Sequence, residues 1–394
     1  MKITGLESIH VDGGWTVISY LKVTTDRGLT GWSEYSGHQA VPGVLAAMAG
    51  RVIGKDACNL NAIDASLYQL QRPAPGGLWQ RGSGAILNAC LDIKGKALGV
   101  PVYELLGGKV RDVTELYWSH CGLFRAGFPA AFEAVIGKPG VRSLDDLKRA
   151  GEEVAQAGYS ALKTNLIRFD ADPTISSMLR GQPAMNIDNR TLDALIAQLT
   201  ALRDGAGRDV RLMLDVNFNF KVEGFRQLAR AVEPFDLMWI ELDMPDAGSL
   251  KVVRDSTHTP IASLEMQLGR RNVRPFLDAY AIDVAIIDGQ WNGLHETMKM
   301  AHMIDAYDVN VAAHCSAGPL GALMSAHFCA AIPNFRIQEH EADVMPWHDA
   351  LLTQRNQVER GQFILSDRPG WGADVDEAVA RAYPGDNGFS WKRG

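Results

Sequence analysis

Residues 211–241 read RLMLDVNFNFKVEGFRQLARAVEPFDLMWIE, which is two apolar runs that each end in an acid, with a helical pattern between them. Similar runs continue along the chain, so that six acid or imidazole side chains follow one another at intervals of 26, 24, 23, 26 and 25 residues. These six residues are Asp215, Glu241, Glu265, Asp288, His314 and Glu339. Runs that stay apolar on both faces are typical of buried parallel strands, and roughly 25 residues accommodate a strand, a helix and two turns. The repeat therefore predicts successive βα units.

Two earlier apolar runs, at residues 114–119 and 160–165, bring the number of predicted strands to eight. A closed (β/α)8 barrel needs eight strands, and its active site lies at their C-terminal ends, where the six acid and imidazole residues fall. An open doubly wound sheet would instead need a glycine-rich first turn, and no GxGxxG follows a predicted strand. The sequence therefore favours an α/β fold built on a barrel.

The chain has 394 residues, which leaves roughly 140 beyond one barrel for a second module. The segments that precede the repeat and read first as strands and then as helices are 3–11, 17–25, 29–35, 41–52, 63–71 and 83–98. We therefore expect an α+β domain at 1–112, a barrel at 113–353, and a C-terminal segment at 354–394 that packs on the first domain. The long interval 166–209 is predicted to be an insertion above the second barrel strand, where substrate-side loops grow.

Charge and composition exclude several classes of function. The 39 Lys and Arg residues against 46 Asp and Glu residues give a formal net charge of −7 without a dense basic block, so no nucleic-acid partner is expected. No apolar stretch is long enough to span a bilayer, and residues 1–14 lack the pattern of a secretory signal, so we expect no membrane partner and a cytoplasmic location. The five scattered cysteines suggest neither a disulfide framework nor a zinc site. A homo-oligomer that binds a small molecule is expected.

Three consecutive strands of the repeat end in the carboxylates of Asp215, Glu241 and Glu265. Their side chains should meet at one rim, where three carboxylates cannot all stay ionised without a cation. Oxygen donors without cysteine or histidine favour Mg²⁺. The alternative is that each acid caps a neighbouring helix or pairs with Lys or Arg. Because the three acids occur in step on consecutive strands, we interpret them as a metal site.

The next two strands end in Asp288 and His314, whose side chains could hydrogen-bond across the rim. A carboxylate on one imidazole nitrogen fixes the tautomer and directs the other nitrogen at substrate, as a general base requires. The alternative is an ordinary buried histidine. Glu339 closes the eighth strand and is expected to face inward in preference to Gln338. It could donate a hydrogen bond to a substrate carboxylate if protonated, or form a salt bridge at the rim.

Two further positions are predicted to point into the barrel mouth. Lys163 and Asn165 lie two residues apart on the second strand and should both reach the substrate. A lysine buried near a metal has a depressed pKa and can act as acid, base or electrophile. Pairing of Lys163 with Asp215 or Glu241 is the alternative. Asn217, two residues beyond Asp215, is expected to bind substrate or metal-bound water.

In this order and spacing, the residues resemble the enolase superfamily in its mandelate racemase branch. Residues 91–102 (LDIKGKALGVPV) and 370–377 (GWGADVDE) extend the resemblance over nearly the whole chain. It implies a modified (β/α)8 TIM barrel with an α+β N-terminal capping domain completed by the C-terminal segment. The resemblance also implies the roles of six residues: magnesium ligands at Asp215, Glu241 and Glu265, a dyad at Asp288 and His314, and a glutamate near substrate at Glu339.

In this superfamily the capping domain closes over the barrel mouth and shapes the substrate pocket. The corresponding candidates for substrate binding are Trp15 and His38, together with His120, which ends the first barrel strand and is the best placed of the three. The alternative for each is an ordinary packing or surface role. Members share the abstraction of a proton α to a carboxylate, which gives an enediolate held by Mg²⁺.

The second strand departs from the pattern of the branch. Many members carry Lys-x-Lys there, the second lysine being a base opposite the histidine, whereas this chain has Lys163-Thr164-Asn165. An amide cannot return a carbon-bound proton, but a dehydration needs only one side chain, because His314 can take the α-proton and then protonate the departing β-hydroxyl. Residues 313–321 and 332–339 also resemble galactonate-type dehydratases. Those enzymes often carry a second histidine at the position of Asn217, which leaves the dehydratase family open.

We therefore expect a Mg²⁺-dependent lyase that dehydrates an aldonic or related sugar acid to a 2-keto-3-deoxy acid. One alternative is an isomerase of the same superfamily, either an epimerase or racemase or a lactone cycloisomerase. The other is a catalytically silent barrel with a binding or regulatory role. The sequence does not name the sugar acid, because its hydroxyl stereochemistry is recognised by loops.

Overall fold

The computed structural model describes residues 1–35, 37–170, 175–176 and 186–385. Its N-terminal part is an antiparallel sheet followed by helices. The sheet has the order β1 (Ile3–Asp12), β2 (Val17–Thr25), β3 (Thr30–Tyr35). The helices are α1 (Val41–Val52), α2 (Leu60–Gln71), α3 (Gly77–Leu98) and α4 (Val102–Leu105). A separate hydrophobic core forms between the sheet and α1 to α3.

The long helix α3 begins six residues earlier than the predicted start at residue 83. Two glycines, Gly77 and Gly82, obscured this start, because glycine ordinarily weakens a helix. Gly82 has a packing reason instead: a Cβ atom there would lie 2.7 Å from Val44 Cγ1 on α1. The glycine therefore allows two helices of the capping domain to approach each other closely.

Eight parallel strands then close into a barrel. The strands of this part of the chain are β4 (Val113–Trp118), β5 (Ala161–Asn165), a short antiparallel pair outside the barrel formed by β6 (Ile167–Arg168) and β7 (Ile175–Ser176), and then β8 (Arg211–Asp215), β9 (Trp239–Glu241), β10 (Ile261–Ser263), β11 (Val284–Asp288), β12 (Asn310–His314) and β13 (Phe335–His340). Neighbouring barrel strands follow one another in chain order, and β13 closes the circle on β4. The predicted α/β fold, a modified (β/α)8 TIM barrel with an N-terminal capping domain, is confirmed.

Helices connect the strands of the barrel. They are α5 (Leu123–Gly127), α6 (Pro129–Ala131), α7 (Leu144–Gln156), α8 (Asn189–Ala206), α9 (Val222–Val232), α10 (Ala247–Arg254), α11 (Arg270–Asp278), α12 (Gly289–Asn292), α13 (Leu294–Asp305) and α14 (Pro319–Ala331). Within the predicted insertion at 166–209, the structure contains β6, β7 and α8, while residues 171–174 and 177–185 lie outside the described part. The role of this segment as a substrate-side loop stays a prediction.

The barrel interior is a packed core, so polar chemistry is confined to its ends. Buried side chains such as Tyr117, Met213, Trp239 and Ile286 fill the interior. Strand register then aligns the polar ends, because Asp215 lies opposite Glu241 on the neighbouring strand and Asp288 lies opposite His314. The strand-end residues therefore share one rim, as a barrel of this kind requires.

The C-terminal segment contacts both the barrel and the capping domain. A hairpin of β14 (Gln357–Glu359) and β15 (Gln362–Ile364) adds to β4 in antiparallel fashion. Farther on, the buried Trp371 donates from Nε1 to the backbone oxygen of Trp32 at 2.7 Å, and α15 (Glu377–Ala382) packs on β1. The predicted domain limits at 112 and 353 stay a prediction. Among the described residues, no helix combines the length and the apolar character needed to cross a membrane.

Candidate active site

A cavity of about 320 Å³ lies at the C-terminal ends of the barrel strands, beneath the capping domain. The capping domain contributes residues from β2, β3 and the loops beside them, including Ile18, Glu34, Tyr35 and His38. The barrel contributes His120, Lys163, Asp215, Asn217, Glu265, Trp291, His314 and Glu339. The capping domain therefore closes over the predicted polar rim and encloses a space of the size of a small ligand.

His314 is held by Asp288 in the geometry of a general base. Its Nδ1 lies 2.6 Å from Oδ2 of Asp288, and the other oxygen of Asp288 accepts from the backbone nitrogen of Trp291 at 2.7 Å. The carboxylate is thus fixed at the start of α12, and the imidazole directs Nε2 into the cavity. Burial lowers the pKa of this imidazole, but nearby carboxylates, chiefly Glu265, outweigh burial and raise it to about 10.

The wall beside His314 is aromatic and carries a charge from the capping domain. The Trp291 ring lies 4.8 Å from the His314 ring, and the Arg81 guanidinium lies 3.7 Å above Trp291. Such a cation over an indole face is attracted by the ring quadrupole. Trp291 was not predicted as a site residue, because nothing in the sequence places its ring beside the imidazole.

The three predicted metal ligands lie on neighbouring strands. Asp215 and Glu241 end β8 and β9, whereas Glu265 stands two residues beyond β10, after Leu264, whose φ is 98°. Buried Glu241 Oε1 has no hydrogen-bond partner. Burial, with repulsion from Asp215 and other carboxylates, raises the pKa of Glu241 to about 8 although Lys163 opposes the shift. An all-carboxylate set with an unsatisfied buried oxygen fits a divalent cation.

The Lys163 ammonium stands between these carboxylates. Its Nζ lies 3.1 Å from Glu241, 2.9 Å from Glu339 and 3.8 Å from Asp215. In the described part of the chain, the group of ligand-type side chains that approach within 4.8 Å of one another is His120, Glu339 and Glu341, and the predicted triad does not form such a group. The assignment of Asp215, Glu241 and Glu265 as metal ligands stays a prediction.

Of the two roles considered for Lys163, its contacts favour pairing with carboxylates. Burial does lower the pKa of Lys163, but the carboxylates of Glu241 and Glu339 outweigh burial and raise it well above its usual value. Lys163 is 1% exposed and is therefore a buried ammonium in an ion-paired cluster. The sequence correctly offered this pairing as the alternative, but it could not give the distances that decide between the two.

Glu339 faces the cavity, as alternation along its strand predicted, while Gln338 binds Thr114 and Ala322 on the other side. Both oxygens of Glu339 accept hydrogen bonds, Oε1 from Ser119 Oγ at 2.5 Å and Oε2 from the Cys315 backbone nitrogen at 2.7 Å. Burial raises the pKa of Glu339, but Lys163 and its other partners outweigh burial and lower it. The contacts favour an ionised acceptor, in place of the protonated donor that we considered.

The predicted substrate-binding asparagines have different surroundings. Asn217 lines the cavity with a φ of 49°, and its backbone nitrogen donates to Asp215 at 2.9 Å. Asn165 is buried at the end of β5 beside Asp215 and is not among the residues that line the cavity. Its side-chain oxygen has no hydrogen-bond partner, and its backbone oxygen accepts from Gln198. The position of Asn165 therefore does not support the expected contact between this side chain and the substrate.

The remaining three candidates for substrate binding differ in whether they line the cavity. His120 lines the cavity, and so does the exposed His38, whose Nδ1 accepts from the Ala40 backbone nitrogen at 3.2 Å. Trp15 instead stacks between Phe124 and Phe132, with ring centroids at 4.8 and 5.4 Å, and does not line the cavity. The expected binding role of Trp15 is thus replaced by the packing alternative.

Glu34 is a residue of the cavity that the sequence did not reveal. This buried carboxylate at the end of β3 accepts from the backbone nitrogens of Gly318 and Gly321, the latter at 2.8 Å, at the start of α14. Burial raises the pKa of Glu34 to about 7, although the two backbone donors oppose the shift. An acid at a helix N-terminus is favoured by the helix dipole, so Glu34 ties the capping domain to the loop that follows His314.

A capped barrel with carboxylates at three neighbouring strand ends and an aspartate-held histidine beside them defines a class of barrel proteins whose acidic and imidazole side chains meet at one rim. The comparisons with known proteins agree with this class. Residues 15–107 match the family described as mandelate racemase / muconate lactonizing enzyme, N-terminal domain, and residues 145–379 match the enolase C-terminal domain-like family. The chain belongs to the enolase superfamily, in its mandelate racemase / muconate lactonizing enzyme family.

Several relatives cover nearly the whole chain. It is 30% identical over 394 residues to a D-galactonate dehydratase of Ralstonia pickettii, covering 96% of this chain and 93% of that protein. It is 27% identical over 388 residues to a D-xylonate dehydratase of Haloferax volcanii, covering 97% and 89%. Relatives named as sugar-acid dehydratases thus share both the capping domain and the barrel.

The solved structures that resemble this chain carry the names of two kinds of reaction. A protein of Burkholderia xenovorans provisionally assigned as an L-alanine-DL-glutamate epimerase matches with a TM-score of 0.93 and 41% identity over 98% of each chain. A second structure from that organism, with the same assignment, is bound to magnesium and fumarate. A provisionally assigned dehydratase of Salmonella Typhimurium matches with a TM-score of 0.88 and 25% identity, covering 98% of this chain and 99% of that one. Similar chains therefore carry both dehydratase and epimerase names.

Proposed function

We propose that the protein is a Mg²⁺-dependent hydro-lyase that removes the α-proton of an aldonic or other sugar acid and eliminates the β-hydroxyl as water. The product would be a 2-keto-3-deoxy acid. The observation that carries this proposal is the pairing of one oriented base, His314 on Asp288, with Asn165 at the position where a second lysine base would stand. Relatives named as D-galactonate and D-xylonate dehydratases support it.

The side chains in and beside the cavity would divide the work of this reaction. His314 takes the α-proton on Nε2, and Asp288 stabilises the imidazolium that forms. Asp215, Glu241 and Glu265 would hold Mg²⁺, which when bound supplies positive charge that offsets these carboxylates and stabilises an enediolate. The Lys163 ammonium adds a fixed positive charge beside the same space. In the simplest scheme, His314 then returns its proton to the departing hydroxyl.

An epimerase is the second candidate, because the 41% identical Burkholderia chain carries that assignment. Epimerisation needs a proton delivered to the opposite face of the α-carbon. Lys163 lines the cavity and holds a proton, but its ammonium is ion-paired with buried carboxylates. That pairing makes proton release costly and is our reason for ranking epimerisation below dehydration.

The test is a screen of acid sugars, with D-galactonate and D-xylonate among them, in D2O with and without Mg²⁺. We expect Mg²⁺-dependent formation of a keto acid, and a loss of about 10²–10⁴-fold in kcat for His314→Asn. His302→Asn, a change at an exposed histidine of α13, is the matched control and should keep full activity. Deuterium uptake with inversion and without keto acid would show an epimerase instead, and the absence of both reactions a silent barrel.

A further inference from the structure

A second histidine and carboxylate pair stands at the same rim, between the first and last strands of the barrel. Trp118 at the end of β4 lies opposite His340 at the end of β13, and the Ser119 backbone nitrogen donates to the His340 oxygen at 2.9 Å. His120, two residues beyond Trp118, and Glu341, the residue after His340, are thereby brought side by side. His120 Nδ1 hydrogen-bonds Oε1 of Glu341.

This pair repeats the arrangement of Asp288 and His314. In each case, the carboxylate comes from the neighbouring strand end and binds Nδ1, and the ring lines the same cavity. Glu341 is 7% exposed, so its charge acts on His120 with little screening by water. Because Nδ1 is engaged, Nε2 is the nitrogen of His120 that can exchange a proton with a bound substrate.

The backbone and the packing also hold His120 in place. Its φ is 48°, a left-handed conformation that is uncommon for residues other than glycine, and such strain concentrates at functional sites. The Phe124 ring lies 4.7 Å from the imidazole, and Trp15 in turn stacks on Phe124. Trp15 therefore supports His120 through Phe124 and does not itself line the cavity.

The charges around His120 favour its protonated form. Burial lowers the pKa of this imidazole, and Lys163 acts in the same direction, but Glu341 and Glu339 outweigh both and raise it. A histidine with a proton to give is what a general acid requires. The pKa of His314 is raised as well, so charge alone does not assign the two roles; what the structure adds is a second oriented imidazole that faces the same cavity.

A cation bound by His120, Glu339 and Glu341 would be another use of the same residues, since their ligand atoms lie within 4.8 Å of one another. Most of the possible ligand atoms already have partners, although the buried Glu341 Oε2 has no hydrogen-bond partner. His120 Nδ1 is bound by Glu341, and both oxygens of Glu339 accept from Ser119 and Cys315, with Lys163 Nζ 2.9 Å from Oε1. These contacts favour proton transfer over metal binding at His120.

We propose that His120, oriented by Glu341, is the general acid that protonates the departing β-hydroxyl, so that base and acid are two different histidines. This inference rests on the proposed dehydration. His314 takes the α-proton, and the C–H electron pair forms the double bond between the α and β carbons. The β-carbon to oxygen bond breaks with its pair on oxygen, which takes the proton of His120 Nε2 and leaves as water. Exchange with solvent restores both imidazoles, and the enol tautomerises to the keto acid.

The deciding experiment uses a leaving group that needs no proton. The parent substrate is the acid sugar that the wild type dehydrates fastest among D-galactonate, D-xylonate and their stereoisomers. Its 3-deoxy-3-fluoro analogue loses fluoride instead of hydroxide. His120→Asn should lower keto-acid formation from the hydroxy acid by about 10²–10⁴-fold and from the fluoro acid by less than about tenfold. It should also keep deuterium exchange at the α-carbon, whereas His314→Asn should lose exchange and both eliminations.

A purely structural His120 would give a different result, because His120→Asn would then slow the two eliminations equally, and that outcome would overturn the inference. Unchanged dehydration by His120→Asn would overturn it too, while leaving the proposed function intact. If the wild type exchanges the α-proton but eliminates neither water nor fluoride from any acid sugar, the proposed function itself fails, and the leaving-group role fails with it.

Glu341→Gln provides a second readout that a structural role would not move. The amide keeps a hydrogen bond to His120 but removes the negative charge that favours the imidazolium. In a plot of kcat against pH, the fall in kcat on the basic side should therefore move to lower pH by about one pH unit. An unshifted profile would contradict the orienting and charging role of Glu341.

Discussion

Lys163 is paired with several carboxylates at the cavity. Its ammonium is buried against Glu241 and Glu339, and removing one partner of a buried ion pair leaves the other charges uncompensated. Lys163→Met should lower the free energy of unfolding by about 3–5 kcal/mol in metal-free protein, measured by urea denaturation in EDTA. Lys299→Met, at a partly exposed lysine, should cost less than about 1 kcal/mol. Equal losses in the two variants would contradict the buried-cluster interpretation.

The sequence placed most of the chemically important residues correctly but gave few of their contacts. The contact between Asp288 and His314 was predicted because both residues end neighbouring strands, and it is present. The sequence left two roles open for Lys163, because the direction of its pKa shift depends on distances of about 3 Å to acids on other strands. Trp15 was predicted in the cavity and stacks behind it, because its direction depends on Phe124 and Phe132.

The three predicted cation ligands lie at or just beyond the ends of β8, β9 and β10. A ligand that binds only the folded protein stabilises it, by about 2.7 kcal/mol when its concentration is a hundred times Kd. We expect Mg²⁺ to raise the Tm of the wild type, measured by calorimetry, and Glu241→Gln to abolish this rise. Glu359→Gln, at an exposed position of β14, should keep the full response. A response retained in Glu241→Gln would exclude Glu241 as a ligand.

His327, a neutral histidine on helix α14, forms hydrogen bonds with two other parts of the chain. His327 accepts from the Tyr103 backbone nitrogen at 3.2 Å through Nδ1 and donates through Nε2 to the Trp371 backbone oxygen at 3.0 Å. Burial lowers the pKa of His327 to about 4 from a usual 6.5. The unfolded chain therefore binds the proton first, and the stability present above pH 6.5 is lost progressively as the pH falls toward 4.

This linkage predicts a loss of up to about 3 kcal/mol between pH 6.5 and 4, measured from urea unfolding at several pH values. His327→Gln cannot take up a proton, so its unfolding free energy should fall less over this range. His302→Gln, at an exposed histidine, should retain the wild-type slope. Parallel curves for the wild type and His327→Gln would exclude His327 as the source of the acid sensitivity.

At the scale of elements, hydrophobic periodicity located the strands and helices well because it reflects local burial. The predicted strand at 17–25 and helix at 41–52 coincide with β2 and α1. The early start of α3 was missed, since the glycine at position 82 serves packing against α1 and only the tertiary contact explains it. Local signals fail where a residue is selected for a distant neighbour.

In the molecule as a whole, Trp371 joins the C-terminal segment to the capping domain. It is fully buried, its backbone nitrogen donates to Asp92 at 3.0 Å, and its Nε1 donates to the Trp32 oxygen. Trp371→Ala should cost about 3–5 kcal/mol of unfolding free energy by urea denaturation and expose the C-terminal segment to proteolysis. Trp371→Phe keeps most of the apolar volume and should cost less. Protease resistance unchanged in Trp371→Ala would contradict this anchoring.

The sequence by itself determined the architecture, because a 25-residue repeat of apolar runs that end in acids or imidazole allows few arrangements other than a barrel with chemistry at one rim. It also placed the acids and the imidazole of the repeat at that rim, but it missed cavity residues such as Glu34 and Trp291. Only the tertiary structure decided which of them touch, since His120 and Glu341 are 221 residues apart and meet only because β13 closes on β4. Barrel closure and the capping domain set these distances, and charges respond to distance and burial rather than to order along the chain.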